Sequence, residues 1–240
     1  MITVSIVSHG HGALVANLLR DLAALRRNDL QVIVTLNIPE DDTRDDAGDA
    51  GIAVEAIRND RPKGFGANHN QAFKRARGEF FCVLDPDVRL PADPFPALLE
   101  AVRAQAVGLA APRVQNAQGR VENSARRFPT LASLAAKALG AAPMLDYPDT
   151  NEVTSPECVG GMFMLLKRSA FEAVGGFDER YFLYYEDFDL CRRLRLKGLE
   201  IRLVPSARIV HQARRTSHRN PRYLALHLRS ILRFLTTDYR

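Results

Sequence analysis

The sequence predicts an α/β domain: a mainly parallel sheet flanked by helices. Short stretches rich in apolar and β-branched residues, such as 2–7, and the continuously apolar 80–84 have the composition of strands buried on both faces. They alternate with stretches whose apolar residues recur every three to four positions, as helices covering a sheet require. The chain has 240 residues, 46% hydrophobic and 25% charged, which suits one domain with a sizeable core.

Taken in order, residues 2–7 form the first strand, and a helix over 14–25 places Leu14, Leu18, Leu22 and Leu25 on one face. Residues 30–36 are a second strand, the acidic stretch 40–51 a loop, and 52–57 a third strand. A helix over 67–77 stops at Gly78, because glycine tolerates the left-handed backbone that ends helices. The strand 80–84 then ends abruptly on Asp85. The second half continues with a helix at 94–104 and a strand at 108–111, then a long Ala- and Pro-rich connection over 123–158. The length of that connection implies a functional flap or an embedded helix near 131–139. Residues 160–167 read as a strand, and Ser169 with Glu172 has the capping-box spacing of a short helix closed by Gly175-Gly176. A helix over 186–197 stopped by Gly198, a strand at 199–204 and a last helix at 221–235 complete the chain.

Three widely spaced cysteines, Cys82, Cys158 and Cys191, support neither a disulfide frame nor a zinc knuckle. The first residues enter a strand without a basic leader, and no apolar stretch reaches the roughly 18 residues of a membrane span, so a cytoplasmic protein is expected. Charge is uneven. Residues 208–240 carry eight arginines against Asp238, a local +7, which leaves the rest of this +5 chain mildly acidic. Such a segment suits an anionic partner or a solvated helix face. The last helix places Leu224, Leu228, Ile231, Leu232 and Leu235 together, with Arg222, Arg229 and Arg233 elsewhere. That pattern fits core packing, a homodimer, or an interfacial helix at a membrane surface. A nucleic-acid partner is not expected, since aromatics are not interleaved with the basic residues.

In parallel sheets the ligand crevice lies beyond the strand C-termini, which brings together Ser8-His9-Gly10, Asn37 and Asp85-Pro86-Asp87. Asp85 and Asp87, alternate residues on a proline-stiffened turn, suit one hard divalent cation, Mg2+ or Mn2+; a simple turn is the plainer reading. Glu186, Asp187 and Asp189 open a helix, where acids satisfy free amides and complement the dipole, a purely structural role; the same setting lowers their pKa, and an Asp187 kept ionised beside aromatic rings and an acceptor hydroxyl would serve as a general base. His211, after a turn at Pro205, is either structural or a nitrogen ligand to the same cation. The turn Gly64-Phe65-Gly66-Ala67-Asn68-His69-Asn70 opens a helix whose amides suit an anion, with Asn68 and Asn70 for a base, ribose or phosphate. It has neither the dinucleotide fingerprint nor the Walker lysine.

In this order the segments resemble family 2 glycosyltransferases of the GT-A fold, particularly bacterial rhamnosyltransferases of cell-surface polysaccharide assembly. The likeness runs through residues 4–9, 63–70, Asp85-Pro86-Asp87, Arg126-Arg127-Phe128-Pro129-Thr130, 160–163, the long stretch 175–190 and residues 205–211. It implies a single GT-A domain with a nucleotide-binding half over 1–90, an acceptor and catalytic half over 91–212, and a basic C-terminal helix over 213–240. It further implies Asp87 and His211 on a metal, with Asp85 nearby, and Asp187 as the base that deprotonates the acceptor. Ser8, His9, Asn37, Gly64, Asn68 and Asn70 would line the nucleotide pocket, and Gly160, Gly161, Asp178 and Glu186 the sugar and acceptor side. The implied partners are a nucleotide-diphosphate sugar such as dTDP-rhamnose and a saccharide or lipid-linked acceptor. Leu36 stands where the family usually places an aspartate before Asn37. A non-catalytic nucleotide-sugar binding protein is the alternative, and so is a sugar-nucleotide pyrophosphorylase, although Ser8-His9-Gly10-His11-Gly12 has no Arg or Lys.

Overall fold

From the N-terminus, β1 (Ile2–Ser8), α1 (Gly12–Ala24), β2 (Leu30–Leu36), β3 (Val54–Arg58), α2 (Phe65–Phe73) and β4 (Phe80–Leu84) alternate as the apolar runs dictate. β5 (Val88–Arg89), α3 (Phe95–Arg103), β6 (Val107–Gln115), β7 (Ala125–Arg126) and α4 (Leu131–Ala138) follow. The chain continues with β8 (Cys158–Val159), β9 (Phe163–Lys167), α5 (Arg168–Ala173), α6 (Glu186–Leu196), β10 (Glu200–His211) and α7 (Pro221–Thr236). These assignments come from a computed structural model that describes residues 1–40, 53–140, 144–212 and 221–239. The loop expected over 40–51, apart from Glu40, lies outside the described residues, as do Ile52, Arg214, Arg215, Arg219 and Arg240.

Eight strands form one sheet in the order β3-β2-β1-β4-β9-β6-β10-β5, and β7 pairs with β8 beside it. The β1–β2, β1–β4, β2–β3 and β6–β10 pairs are parallel, whereas β9 lies antiparallel between β4 and β6. Side chains alternate across each strand. Ile2, Val4 and Ile6 therefore enter one core layer with Val15, Leu18 and Leu22 of α1 and Phe95 and Leu98 of α3. Phe81 and Val83 enter the other, against Phe171, Phe188 and Leu194. Between the apolar positions of β1, Thr3 donates to Gln31 and Ser5 shares a hydrogen bond with buried His69, both at 2.8 Å.

Several boundaries differ from the sequence reading for identifiable reasons. β10 does not stop at Val204: its pairing with β6 shifts register between Val204 and Arg208, and this bulge accommodates Pro205. His211 consequently ends the strand instead of following a turn. α5 begins at Arg168 with no side-chain cap, and Glu172 pairs with Arg168 at 2.9 Å, so the capping box does not form. α2 ends at Phe73, short of Gly78. Gly78 is required instead for close packing, since a Cβ there would lie 2.6 Å from the Thr3 nitrogen.

Gly64 joins the two halves of the chain. The Phe65 amide donates to the Phe182 carbonyl at 2.9 Å, and a Cβ on Gly64 would stand 2.7 Å from that same oxygen. Gly64→Ala is expected to lower stability by about 1–3 kcal/mol, the usual cost of overpacking. Urea unfolding measures this, and an unchanged midpoint would show that the Phe182 backbone yields freely.

Candidate active site

β4 ends at Leu84 and is followed by Asp85, whose amide donates to the Met162 carbonyl at 3.0 Å. The Pro86 turn feeds β5, which pairs antiparallel with the end of β10 so that Val88 faces His211. That register sets His211 beside the acid pair: its Nε2 lies 3.4 Å from Asp87 Oδ1. One ligand atom from each of Asp85, Asp87 and His211 lies within 4.8 Å of the others. On the far side of the ring, Nδ1 donates to Glu122 Oε2 at 2.8 Å. Burial pulls the His211 pKa down, but the hydrogen bonds to Asp87 and Glu122 outweigh it and lift the value to about 9. Asp85 is pushed up to about 7, first by burial and then by the charge of Asp87, with His211 opposing and Asp187 adding to the rise. Two carboxylates and an imidazole nitrogen at this spacing are a suitable donor set for Mn2+ or Mg2+.

Asp187 arrives from the other end of the chain. Tyr184 and Tyr185, immediately before α6, hold φ values of 70° and 67°. Left-handed backbone at bulky residues costs about 1–3 kcal/mol each and persists only where surrounding contacts enforce it. Here α7 supplies them: Ser230 Oγ donates to the Leu183 carbonyl at 2.8 Å, and the His227 ring lies 5.2 Å from Tyr184 and 5.4 Å from Tyr185. The first turn of α6 is thereby presented to the cavity. Asp187 accepts hydrogen bonds from the Gly161 amide at 3.2 Å and the Phe188 amide at 2.8 Å.

The sequence reading expected the helix start to lower the Asp187 pKa, and this is corrected. Burial dominates and raises it, against the Arg126 charge and the amides, which act to lower it. Glu186 rises well above the carboxylate range through burial and the charge of Asp187. Its Oε2 is buried with no hydrogen-bond partner among the described residues.

These groups share one cavity of about 1150 Å³, whose lining includes Asp85, Asp87, Glu186, Asp187 and His211. His9, Asn37, Asn68, Gly160 and Gly161 also border it. The Asn37 and Asn68 amides are engaged within the protein. Asn59 Nδ2 bridges Asn37 Oδ1 at 2.9 Å and Asn68 Oδ1 at 2.7 Å, and Asn37 also binds the Lys63 backbone. Ser8, Gly64, Asn70 and Asp178 are not among the lining residues. Ser8 donates to Glu40 at 2.7 Å, Asn70 clamps both backbone groups of Phe177, and Asp178 grips Arg180. The sequence reading did not single out Glu122, Glu40 or Asn59. Arg126 it placed in a motif without a role, although this cation faces Asp187 and stacks 5.8 Å above Phe188. A lone acid or amide in a polar stretch carries no periodic signal; only the RRFPT motif gave a clue to Arg126.

Comparison with known proteins follows the same lines. The sequence profile of a family described as "Glycosyltransferase like family 2" matches residues 1–233. Rhamnosyltransferase WbbL of Escherichia coli (strain K12) is 26% identical over 98% of this chain and 92% of its own length. The N-acetylglucosaminyl-diphospho-decaprenol L-rhamnosyltransferase of Mycobacterium tuberculosis (strain CDC 1551 / Oshkosh) is 36% identical over 65% of this chain, which spans only 55% of that relative. Among solved structures, a mannosyltransferase from Pyrobaculum calidifontis in complex with GDP-Man and Mn2+ superimposes with a TM-score of 0.70 at 17% identity. It covers 100% of this chain and 65% of its own. TarS 1-349 of S. aureus in complex with UDP gives a TM-score of 0.66 at 14% identity, over 100% of this chain and 67% of its own. At such identities the structural likeness establishes the GT-A fold alone.

The unpartnered Oε2 of Glu186 sets up a stability test. As pH rises through the ordinary carboxylate range, Glu186 ionises in the unfolded chain while the folded cavity keeps it protonated, so folding stability falls. Glu186→Gln is expected to be more stable than the parent by about 1–3 kcal/mol at pH 8, with the gap closing near pH 4. Urea midpoints at the two pH values decide it, and a pH-independent gap would contradict the assignment.

Proposed function

The chain belongs to glycosyltransferase-like family 2, and on that premise we propose that it transfers a sugar from a nucleoside-diphosphate donor to an acceptor hydroxyl, with inversion at the anomeric carbon. The observation that carries this reading is the convergence of Asp85, Asp87 and His211 with Asp187 on one cavity. Asp87 and His211 would hold Mn2+ or Mg2+, with Asp85 beside them. When bound, the ion supplies Lewis-acid stabilisation of charge building on the departing diphosphate. Asp187, fixed by the Gly161 and Phe188 amides, takes the acceptor proton. Glu186, with its unpartnered oxygen, binds a sugar or acceptor hydroxyl. Residues 1–90 hold the nucleotide and 91–212 the acceptor side. The names of two relatives favour rhamnose, one of them L-rhamnose, carried here as dTDP-rhamnose in the synthesis of a cell-surface glycan on a saccharide or lipid-linked acceptor.

Asp187→Asn is expected to keep metal-dependent donor binding by calorimetry while turnover falls about 10²–10⁴-fold. The acidic limb of kcat/KM in the parent should lie above the ordinary carboxylate range, because the base must be ionised and burial has raised its pKa. Full activity in the variant would reject the base assignment. A parent protein that binds donor without turnover would instead be a nucleotide-sugar binding protein.

No helix among the described residues is long and apolar enough to cross a membrane. α7 is nevertheless anchored through Ser230 and Phe234, while Leu224, Leu228 and Leu232 are 58–62% exposed. The helix carries Arg222, Arg229 and Arg233 and no acid, so an anionic bilayer surface at the cytoplasmic face suits it better than a homodimer, which would oppose like charges. Replacing the three leucines by serine is expected to weaken co-sedimentation with phosphatidylglycerol vesicles about tenfold or more, since one buried leucine contributes about 1.5–3 kcal/mol. Unchanged sedimentation, or a leucine-dependent dimer at low micromolar concentration, would overturn the membrane reading.

A further inference from the structure

We propose that Glu122 is a positioning residue that fixes the orientation and tautomer of His211 at the divalent-cation site. The inference rests on the metal-dependent reading above and adds a residue that neither the motif pattern nor the family likeness assigns. Its basis is the way β6 ends. Gln115 is paired with Val210 of β10, and a tight hairpin then turns the chain back: the Asn116 amide donates to Arg120 O at 2.8 Å and Gly119 takes a φ of 74°. Gln115 bridges Val121, and the Glu122 amide donates to the Val114 carbonyl at 2.9 Å. The Glu122 backbone is thus fixed on the side of β6 opposite β10, and its carboxylate meets His211 Nδ1 at 2.8 Å.

An imidazole presents two distinct nitrogens, and an ionised carboxylate only accepts. A cation at Nε2 would require that nitrogen to give up the proton it holds against Asp87 while Nδ1 keeps its own for Glu122, and Nε2 is the nitrogen on the side where Asp87 and Asp85 lie. With Glu122 removed, no other hydrogen-bond acceptor for Nδ1 among the described residues selects this tautomer. The alternative form turns an N–H toward the two carboxylates, and an N–H does not ligate a metal. Both side chains are mostly shielded, 14% exposed for His211 and 21% for Glu122, so water competes weakly for the contact.

The test is Mn2+ titration followed by electron paramagnetic resonance, with inorganic pyrophosphate as the diphosphate so that the nucleotide base is immaterial. Glu122→Ala is expected to weaken Mn2+ binding about 10–100-fold, the usual effect of removing a carboxylate behind a metal-bound histidine. Glu122→Gln, whose amide oxygen still accepts from Nδ1, should recover most of that loss. Thermal unfolding in chelator should separate neither variant from the parent by enough to explain the change in affinity. Parent-like affinity in Glu122→Ala, with affinity lost in Asp87→Asn, overturns the inference and leaves the metal reading intact. Equal losses in the Ala and Gln variants would assign the effect to charge alone and overturn it too. Parent-like binding in Asp87→Asn, or none in the parent, defeats the metal reading and the inference together.

Discussion

Asp85, Asp87, Glu186 and Asp187 are drawn into one cavity, and the rest of the site is arranged around that electrostatic conflict. Like charges in a desolvated space raise one another's pKa, and two of these carboxylates act directly on Asp85. The protein opposes the conflict with three kinds of positive group. His211 is lifted to about 9 between Asp87 and Glu122, the Arg126 cation faces Asp187, and two backbone amides point at the Asp187 carboxylate. None of them neutralises Glu186. A site of this kind costs folding stability and is complementary to a divalent cation and to hydroxyl donors, which is the exchange expected where function outweighs stability.

The sheet explains how residues so distant in sequence meet. β1, β4 and their parallel neighbours deliver loops to one edge, the ordinary crevice of an open α/β sheet. The antiparallel β9, inserted between β4 and β6, reverses that logic: its N-terminal end, not its C-terminal end, reaches the crevice. Gly160, Gly161 and Met162 therefore sit against Asp85 and Asp187 at the point where a parallel strand would deliver its far end. The bulge at Pro205 lets β10 run on to His211, so the metal-type donor set is completed by strand geometry, without a flexible loop.

Much of this was legible in the sequence, and the reasons differ by element. β4 has the expected boundaries because it is an uninterrupted apolar run bounded by polar residues, and β2 because its β-branched and apolar residues stop at Asp29 and Asn37. The Asp85-Pro86-Asp87 turn was legible because it breaks such a run. β10 was truncated in the sequence reading because Pro205 has the local signature of a turn, and only pairing with β6 reveals a bulge. The capping box failed since Arg168 offers Glu172 a closer charged partner. Burial reverses the Asp187 shift, and burial depends on neighbours such as Tyr185 and Phe188 that local helix-dipole reasoning leaves out. Asn70 had a ligand's chemistry but clamps Phe177, far along the chain, and nothing within its own helix signals that contact.

The Tyr184–Tyr185 pair shows why the position of Asp187 cannot be an intrinsic property of α6. Two bulky residues in left-handed backbone would relax if the loop were unsupported, and the first turn of the helix would rotate with them. Support comes from α7, through Ser230 on the Leu183 carbonyl and through His227 and Phe234 against Tyr185. Tyr239 adds a hydrogen bond to Asp189 at 2.9 Å, within the same acidic turn. Asp187 is therefore held by the segment that follows the sheet, and the exposed leucine row lies on that same helix. Any contact made by the exposed face of α7 therefore bears on an element already bonded to the loop that presents Asp187.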